Sequence, residues 1–292
     1  LESSATGSAT APGPAAPAPD APERLGPYAV GRLLGRGGMG VVHAATDTRD
    51  GREVALKILH ADVVLRPEAL RRFEREARIG RRLDHPNVVR THDVLAEEQA
   101  GRTVRAIVLE LVRGETLADL VRSLGTVPEG LLREIALQTA EGLAAIHAAG
   151  IVHRDLKPAN VMLTHDRRVR IMDLGVAHVD ATTFDLTQAG HFVGTPAYAA
   201  PEQLDARGAE PRSDLYALGV LLYELGTGVN PFRKEHAGAT IRAHMAVRAR
   251  PARDRNPALS GFLSDVIATL LAKAPEDRFA TAADLARVLR EG

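Results

Sequence analysis

No cysteine occurs among the 292 residues. Disulfides, thiolate catalysis and cysteine–zinc sites are therefore excluded. Net charge is also absent, because 37 basic residues balance 37 acidic ones. No overall field then argues for a nucleic acid or a membrane surface as partner. No apolar run approaches the roughly 20 residues that span a bilayer. Lysine is scarce: only Lys57, Lys157, Lys234 and Lys273 occur, and arginine supplies every other basic side chain. Where arginine is the default cation, a lysine marks a position that needs a compact ammonium. Lys57 and Lys157 are read in that way, and Lys234 and Lys273 as chance.

What is present is ordinary for a folded chain: 45% hydrophobic and 25% charged residues. The length exceeds one compact domain and suits two lobes around a shared cleft. The chain begins with Leu1 rather than Met, as expected of a fragment, with room for a targeting or membrane segment beyond either end. Residues 1–26 are mostly Ala, Pro, Ser, Thr and Gly with almost no large apolar side chain. Such a segment cannot offset its ordering entropy by burial and is expected to be a disordered tail or linker.

Residues 27–112 read as strands with one helix. Tyr28–Leu34 and Val41–Thr48 flank a glycine-rich turn, and Asp50-Gly51 leads into the strand Glu53–Leu59. Pro67–Leu83 has helical period, with Leu70, Phe73, Ala77 and Gly80 on one face. Val88–Val94 and Arg105–Leu111 complete the strands. Beyond residue 113 the pattern is helical: Pro128–Ala149 carries an apolar stripe, and Leu215–Leu225 is apolar nearly all round, as for a helix at the centre of a core. Phe262–Leu271 and Thr281–Leu289 are amphipathic.

Four motifs carry chemistry. In Gly35-Arg36-Gly37-Gly38-Met39-Gly40-Val41-Val42, backbone N–H groups can approach phosphate oxygens with no Cβ in the way. G-x-G-x-x-G alone is weak, but here it joins two strands, which favours a flap over nucleotide phosphates against a dinucleotide fold. In Val54-Ala55-Leu56-Lys57 a lysine sits inside an apolar strand, where it needs an anion and a carboxylate. Glu74 and Glu76 are both within reach in sequence. At 100° per residue Glu76 falls nearer the apolar stripe, so it is expected to be the partner.

His153-Arg154-Asp155-Leu156-Lys157-Pro158-Ala159-Asn160 gathers a carboxylate, an ammonium and an amide just after a long helix. Phosphoryl transfer needs that set: an orienter for the attacking hydroxyl, a cation for the phosphoryl group and an oxygen ligand for a metal. Asp173-Leu174-Gly175, after the apolar Arg170–Met172, adds a second hard oxygen ligand. His92, His147, His165 and His191 have no metal-ligand spacing and are read as structural or solvated.

Together, in this order, the motifs resemble the eukaryotic-like protein kinase family, in its bacterial serine/threonine branch, over residues 28 to about 290. The resemblance implies an α+β bilobal fold over 27–291. A small antiparallel β lobe (27–109) would contain one helix, and a hinge (110–113) would lead to a mainly helical lobe (114–291). It implies that Asp155 is the catalytic carboxylate, that Lys157 contacts the γ-phosphate of ATP, and that Asn160 and Asp173 hold Mg2+, with Mn2+ as a substitute. Lys57, paired with Glu76, would bind the α- and β-phosphates beneath the Gly35–Val42 flap. Leu34, Val42, Ala55 and Met162 would sandwich adenine, with Leu109 as gatekeeper and Glu110 and Val112 bonding the ring through their backbone. Glu202 of Ala200-Pro201-Glu202 would pair with Arg278, and Asp214 would brace the catalytic loop.

Two positions depart from the family pattern. Leu174 replaces the usual phenylalanine, and Gly80 stands where a larger apolar residue is usual, which is expected to leave a gap beside Glu76. Lys157 and the segment Gly194-Thr195-Pro196-Ala197-Tyr198 resemble the serine/threonine subtype. Thr182, Thr183 and, first, Thr187 are expected to be phosphorylated by the chain itself, with Arg154 receiving the phosphate. Thr195 is expected to bond Asp155 or Lys157. Expected partners are ATP, protein substrates with Ser or Thr acceptors, and a second copy acting in trans; neither nucleic acid nor membrane contact is expected of this segment. A cytoplasmic location is expected, with any membrane anchor outside the chain. The rival is a pseudokinase or nucleotide-binding scaffold, disfavoured because Lys57, Asp155, Asn160 and Asp173 are all present.

Overall fold

The computed structural model describes residues 22–37, 40–60, 67–99, 101–173, 196–205 and 207–292; within 67–80 the side chains at 67–69, 72, 75, 76 and 79 are outside the description. The chain forms two compact units. The first runs to Arg66 and resumes over His92–Leu111, and the second comprises Pro67–Thr91 and Val112–Gly292.

In the first unit, β1 (Arg24–Leu25), β2 (Tyr28–Arg36), β3 (Gly40–Asp47), β4 (Glu53–Leu59), β5 (Thr91–Gln99) and β6 (Arg102–Glu110) form one sheet in the order β1-β2-β3-β4-β6-β5. The paired strands on either side of β4 run antiparallel to it. Side chains alternate across a strand, so register decides which residues share a face. Leu25, Tyr28, Val54, Leu56, Ile58, Ala106 and Val108 form the unit's apolar core. Leu25 is fully buried and β1 pairs with β2, Leu25 opposite Tyr28. This moves the expected tail boundary at residue 26: the buried Leu25 side chain holds the backbone around it to the sheet. Val88–Val94 also differs from expectation, because β5 begins at Thr91 and Val88 instead makes a parallel bridge to Ile171.

The second unit contains α1 (Pro67–Gly80), β7 (Gly114–Thr116), α2 (Leu117–Leu124), α3 (Glu129–Ala148), β8 (Val161–Thr164), β9 (Val169–Ile171), α4 (Pro201–Leu204), α5 (Pro211–Thr227), α6 (Ala237–Ala246), α7 (Ala252–Arg255), α8 (Gly261–Leu270) and α9 (Ala282–Glu291). Sequence placed α1 with the strands; it groups with the helical unit instead. The stripe Leu132, Ile135, Leu143 and Ile146 of α3 packs in one core with Leu218, Leu222 and Leu225 of α5 and Leu285 of α9. Every residue of α5 from Ser213 to Tyr223 is buried, which is why its sequence is apolar all round. Full burial of each such leucine contributes about 1.5–3 kcal/mol.

The gap expected beside Gly80 does not exist. A Cβ on Gly80 would overlap Thr91 Oγ1 and lie 3.0 Å from Thr91 Cβ. Thr91 is buried and fills the space from the strand side. The missing helix side chain is matched by a strand residue that occupies its volume.

Candidate active site

β4 carries the first set of candidate residues. Lys57 lies opposite Val42 on β3 and Ile107 on β6, and Ala55 lies opposite Ala44 and Leu109. Directly opposed residues share a face, so Val42, Ala55, Lys57 and Leu109 line one side of the sheet, while Val54, Leu56 and Ile58 face the core on the other. Alternation inside an apolar strand therefore puts Lys57 on the face away from its own core. Glu110 ends β6 opposite Val54, and Val112 begins the second unit's long segment.

Gly35 and Arg36 pair with Val42 and Val41, and Gly37 N–H donates to the Gly40 carbonyl over 2.8 Å. Gly40 has to be glycine, since a Cβ there would overlap the Ile58 carbonyl oxygen. Gly38 and Met39 lie outside the described residues. Leu34 is exposed on β2. Met162 lies on β8 opposite Thr116 and Arg170.

In the second unit the loop after α3 is held by one carboxylate. Asp214, from the first turn of α5, is almost wholly buried. Its Oδ2 accepts from His153 N–H at 2.8 Å and bonds His147 Nε2 at 2.7 Å, and its Oδ1 accepts from Arg154 N–H at 2.8 Å. Arg154 takes a left-handed conformation, φ 68°, and Asp173 another, φ 49°. Such backbone persists only where the surroundings fix it, and the Asp214 carboxylate is what fixes Arg154. Gln203 Nε2 adds a bond to the Arg154 carbonyl at 3.2 Å. His153, fully buried, bonds the Met172 carbonyl through Nε2 at 2.9 Å, tying the loop to the residue before Asp173.

Three predicted functional groups meet on this frame. Lys157 Nζ donates to Asp155 Oδ2 over 2.7 Å, and Asn160 Nδ2 donates to the same oxygen over 3.0 Å and to the Asp155 carbonyl over 2.8 Å. Both side-chain bonds fall on Oδ2, so Oδ1 is the oxygen that the geometry offers to an incoming hydroxyl. The Asn160 amide spends its nitrogen on Asp155, which leaves Oδ1 as the amide atom able to ligate a cation. Met172 N–H donates to the Asn160 carbonyl over 2.9 Å, linking Asn160 to the chain that delivers exposed Asp173. An amide oxygen and a carboxylate are hard donors that fit a small divalent cation completing its shell with phosphate oxygens and water.

Further out, Glu202 and Arg278 form a buried pair at 2.7 Å, as expected. Burial alone would raise the Glu202 carboxyl, but bonds from Arg278 and Ser213 outweigh it and hold the group below its ordinary value. Ser213 Oγ donates to Glu202 at 2.6 Å, and the Arg278 guanidinium also reaches the carbonyls of Arg212, Ala272 and Lys273. Lys273, read as chance from sequence, has a structural task. Its Nζ sits 4.0 Å from the Phe232 ring centroid and donates to Tyr216 Oη at 3.2 Å, and burial lowers its pKa to about 8.

His147 was read as structural or solvated; it is structural, a ligand of the Asp214 carboxylate. Glu76 lies on α1, but its side chain is outside the description, as are Leu174, Gly175, Thr182, Thr183, Thr187, His191 and Thr195.

A model of the protein kinase domain matches residues 28–288. The serine/threonine-protein kinase PknB of Mycobacterium leprae is 38% identical over 258 residues, covering 88% of this chain and 42% of that protein. A probable serine/threonine-protein kinase PknB of Corynebacterium glutamicum is 39% identical over 264 residues, 89% of this chain and 41% of its own length. The chain thus spans less than half of these curated relatives. The crystal structure of the Mycobacterium tuberculosis PknI kinase domain, solved as a cysteine-to-alanine mutant, superposes with a TM-score of 0.70 at 27% identity, over 92% of this chain and 96% of that one.

Proposed function

The chain belongs to the protein kinase family, and from that premise we propose that it transfers the γ-phosphate of ATP to serine and threonine hydroxyls of proteins, its own activation segment included. The family uses ATP and a divalent metal; Mg2+ is the ion proposed here. The observation that carries the reading is the convergence of Lys157 and Asn160 on one oxygen of Asp155, on a loop fixed by Asp214. The serine/threonine class is supported by the names of the two PknB relatives.

In this mechanism Asp155 Oδ1 orients the acceptor hydroxyl and takes its proton as the bond to phosphorus forms. Lys157 holds the transferring phosphoryl group by charge. Asn160 Oδ1 and the Asp173 carboxylate would hold the metal, which would neutralise phosphate charge when bound. Lys57, partnered by Glu76, positions the α- and β-phosphates beneath residues Gly35 to Val42. Leu34, Ala55, Leu109, Glu110, Val112 and Met162 are assigned to adenine. Catalysis of this kind is positioning plus electrostatic stabilisation, so the fixed geometry of the loop is what matters. The domain is proposed to include Arg24–Leu25, since β1 belongs to its sheet. Protein substrates and a second copy in trans are the proposed acceptors. The proposed setting is the cytoplasm; no helix of the described residues is long and apolar enough to cross a membrane.

The test is incubation of wild type and Asp155→Asn with γ-labelled ATP, Mg2+ and a protein acceptor. Wild type labels the acceptor and the variant falls by at least about a hundredfold, in line with removal of one positioned catalytic group. Equal labelling by the two proteins would overturn the assignment of Asp155.

A further inference from the structure

The segment from Arg242 to Arg255 takes no part in the site described above, and its charge is unusual for this chain. It holds five arginines, Arg242, Arg248, Arg250, Arg253 and Arg255, against one carboxylate, Asp254, in a protein whose total charge is zero. All five arginines are exposed. Some exposed arginines elsewhere have carboxylate partners: Arg122 with Asp119 at 2.6 Å, Arg207 with Asp205 at 2.7 Å, Arg290 with Glu141 at 2.6 Å. Among the described residues no carboxylate forms such an ion pair with any of the five.

Exposed apolar side chains occur in the same segment. Met245 is 38% and Val247 45% exposed, two of the five large apolar side chains exposed among the described residues. They lie between Arg242 and Arg248. The backbone beneath is fixed: Val247 N–H caps α6 on the Ala243 carbonyl at 2.9 Å, Arg253 N–H reaches Ser264 Oγ at 3.3 Å, and Asn256 Nδ2 reaches the Gly226 carbonyl at 2.7 Å. Arg250 and Arg255 both come close to the Tyr223 hydroxyl, whose pKa burial raises while the two guanidinium groups, Arg255 foremost, oppose the rise.

We infer that this strip, Arg242 with Met245 to Arg255, docks an acidic segment of a protein partner, its carboxylates on the arginines and an apolar side chain on Met245 and Val247. Guanidinium forks match carboxylates two bonds at a time, and a rigid base keeps the ordering cost low. A nucleic acid fits less well, since no aromatic side chain stands in the strip to stack a base. An anionic membrane fits less well because two exposed apolar residues without tryptophan or tyrosine make a poor interfacial anchor. The role of the partner as a phosphate acceptor rests on the proposed kinase function; the docking does not.

Binding is therefore measured without catalysis, by fluorescence anisotropy of a fluorescein-labelled Glu-rich peptide carrying one leucine, alongside its Gln counterpart. The Glu peptide is expected to bind at least about tenfold tighter than the Gln peptide, with an affinity that falls as salt rises. Arg248→Ala/Arg250→Ala/Arg253→Ala should weaken it by at least about tenfold, Met245→Ser/Val247→Ser by less, and the control Arg122→Ala not at all. Thermal melting of each variant separates a binding loss from a folding loss. Equal binding of the Glu and Gln peptides, or unchanged binding by the folded triple variant, would overturn the inference. So would arginine-dependent retention of phosphatidylserine vesicles or single-stranded DNA in place of the peptide. Peptide binding that persists in a chain lacking all phosphotransfer would leave the docking standing and sink the kinase reading alone.

Discussion

Replacing Gly80 by alanine puts a methyl group into space that Thr91 already fills. The new Cβ would overlap Thr91 Oγ1 and stand 3.0 Å from its Cβ. Alanine gains about 1 kcal/mol over glycine in a helix interior, whereas forcing an extra methyl into a packed site costs about 1–3 kcal/mol. The expected net is a loss of roughly 1 kcal/mol, read as a fall of about 2–4 °C in Tm for a chain of this size. Leucine at the same position should lose more, and both variants should lower phosphotransfer rather than raise it, because α1 carries Glu76. The diagnostic is rescue. Thr91→Ala removes the overlapping Oγ1, so Gly80→Ala/Thr91→Ala should recover part of the loss, a coupling of about 0.5 kcal/mol or more in a double-mutant cycle. A Gly80→Ala protein as stable and as active as wild type, with additive effects of the two changes, would refute the reasoning.

Arg278→Ala strands the Glu202 carboxylate in the core and should cost about 3–5 kcal/mol, measured by urea denaturation. The Glu202 carboxyl is held below its ordinary value of 4.5, so its contribution is present above that pH and is lost as pH falls through the lower folded value. Wild-type stability should therefore drop on acidification below about pH 4.5, with Glu202→Gln flattening the drop; equal slopes in the two proteins would contradict the pairing. Lys57→Met should leave the fold intact and remove about 3 kcal/mol or more of transition-state stabilisation, so a variant retaining above about a tenth of wild-type turnover at saturating ATP would remove Lys57 from the site. Peptide mass spectrometry before and after incubation with MgATP should find new phosphate on Thr187, with Thr182 and Thr183 next. Phosphate confined to Ser3, Ser4, Thr6, Ser8 and Thr10, or equal loop phosphate in Asp155→Asn from a dephosphorylated start, would contradict self-modification.

Residues whose chemistry is declared by their type and spacing are legible in the amino-acid sequence itself. Asp155, Lys157 and Asn160 sit within one short loop, so their meeting follows from local sequence. The all-apolar Leu215–Leu225 declares a central helix, and Pro211–Thr227 is that helix. Long-range matches are not legible in this way. The Gly80–Thr91 fit joins positions eleven apart, one on a helix and one on a strand, and glycine alone does not reveal what fills its space. The role of Lys273 depends on Phe232 and Tyr216, which only packing brings to it. The strand Arg24–Leu25 is hidden because a single buried leucine makes no pattern. The structural reading of His147 holds, but its partner was hidden for a related reason: Asp214 lies far along the chain.

The central claim is transfer of the terminal phosphoryl group of ATP to a hydroxyl side chain, and the most direct measurement compares two labels. Wild-type protein is incubated with Mg2+ and an acceptor protein, once with γ-labelled and once with α-labelled ATP, and the acceptor is hydrolysed to its amino acids. The γ label should appear on phosphoserine and phosphothreonine, and the α label should remain in nucleotide. Label carried from the α position would mean nucleotidyl transfer, and γ label recovered only as inorganic phosphate would mean hydrolysis; either result would contradict the account.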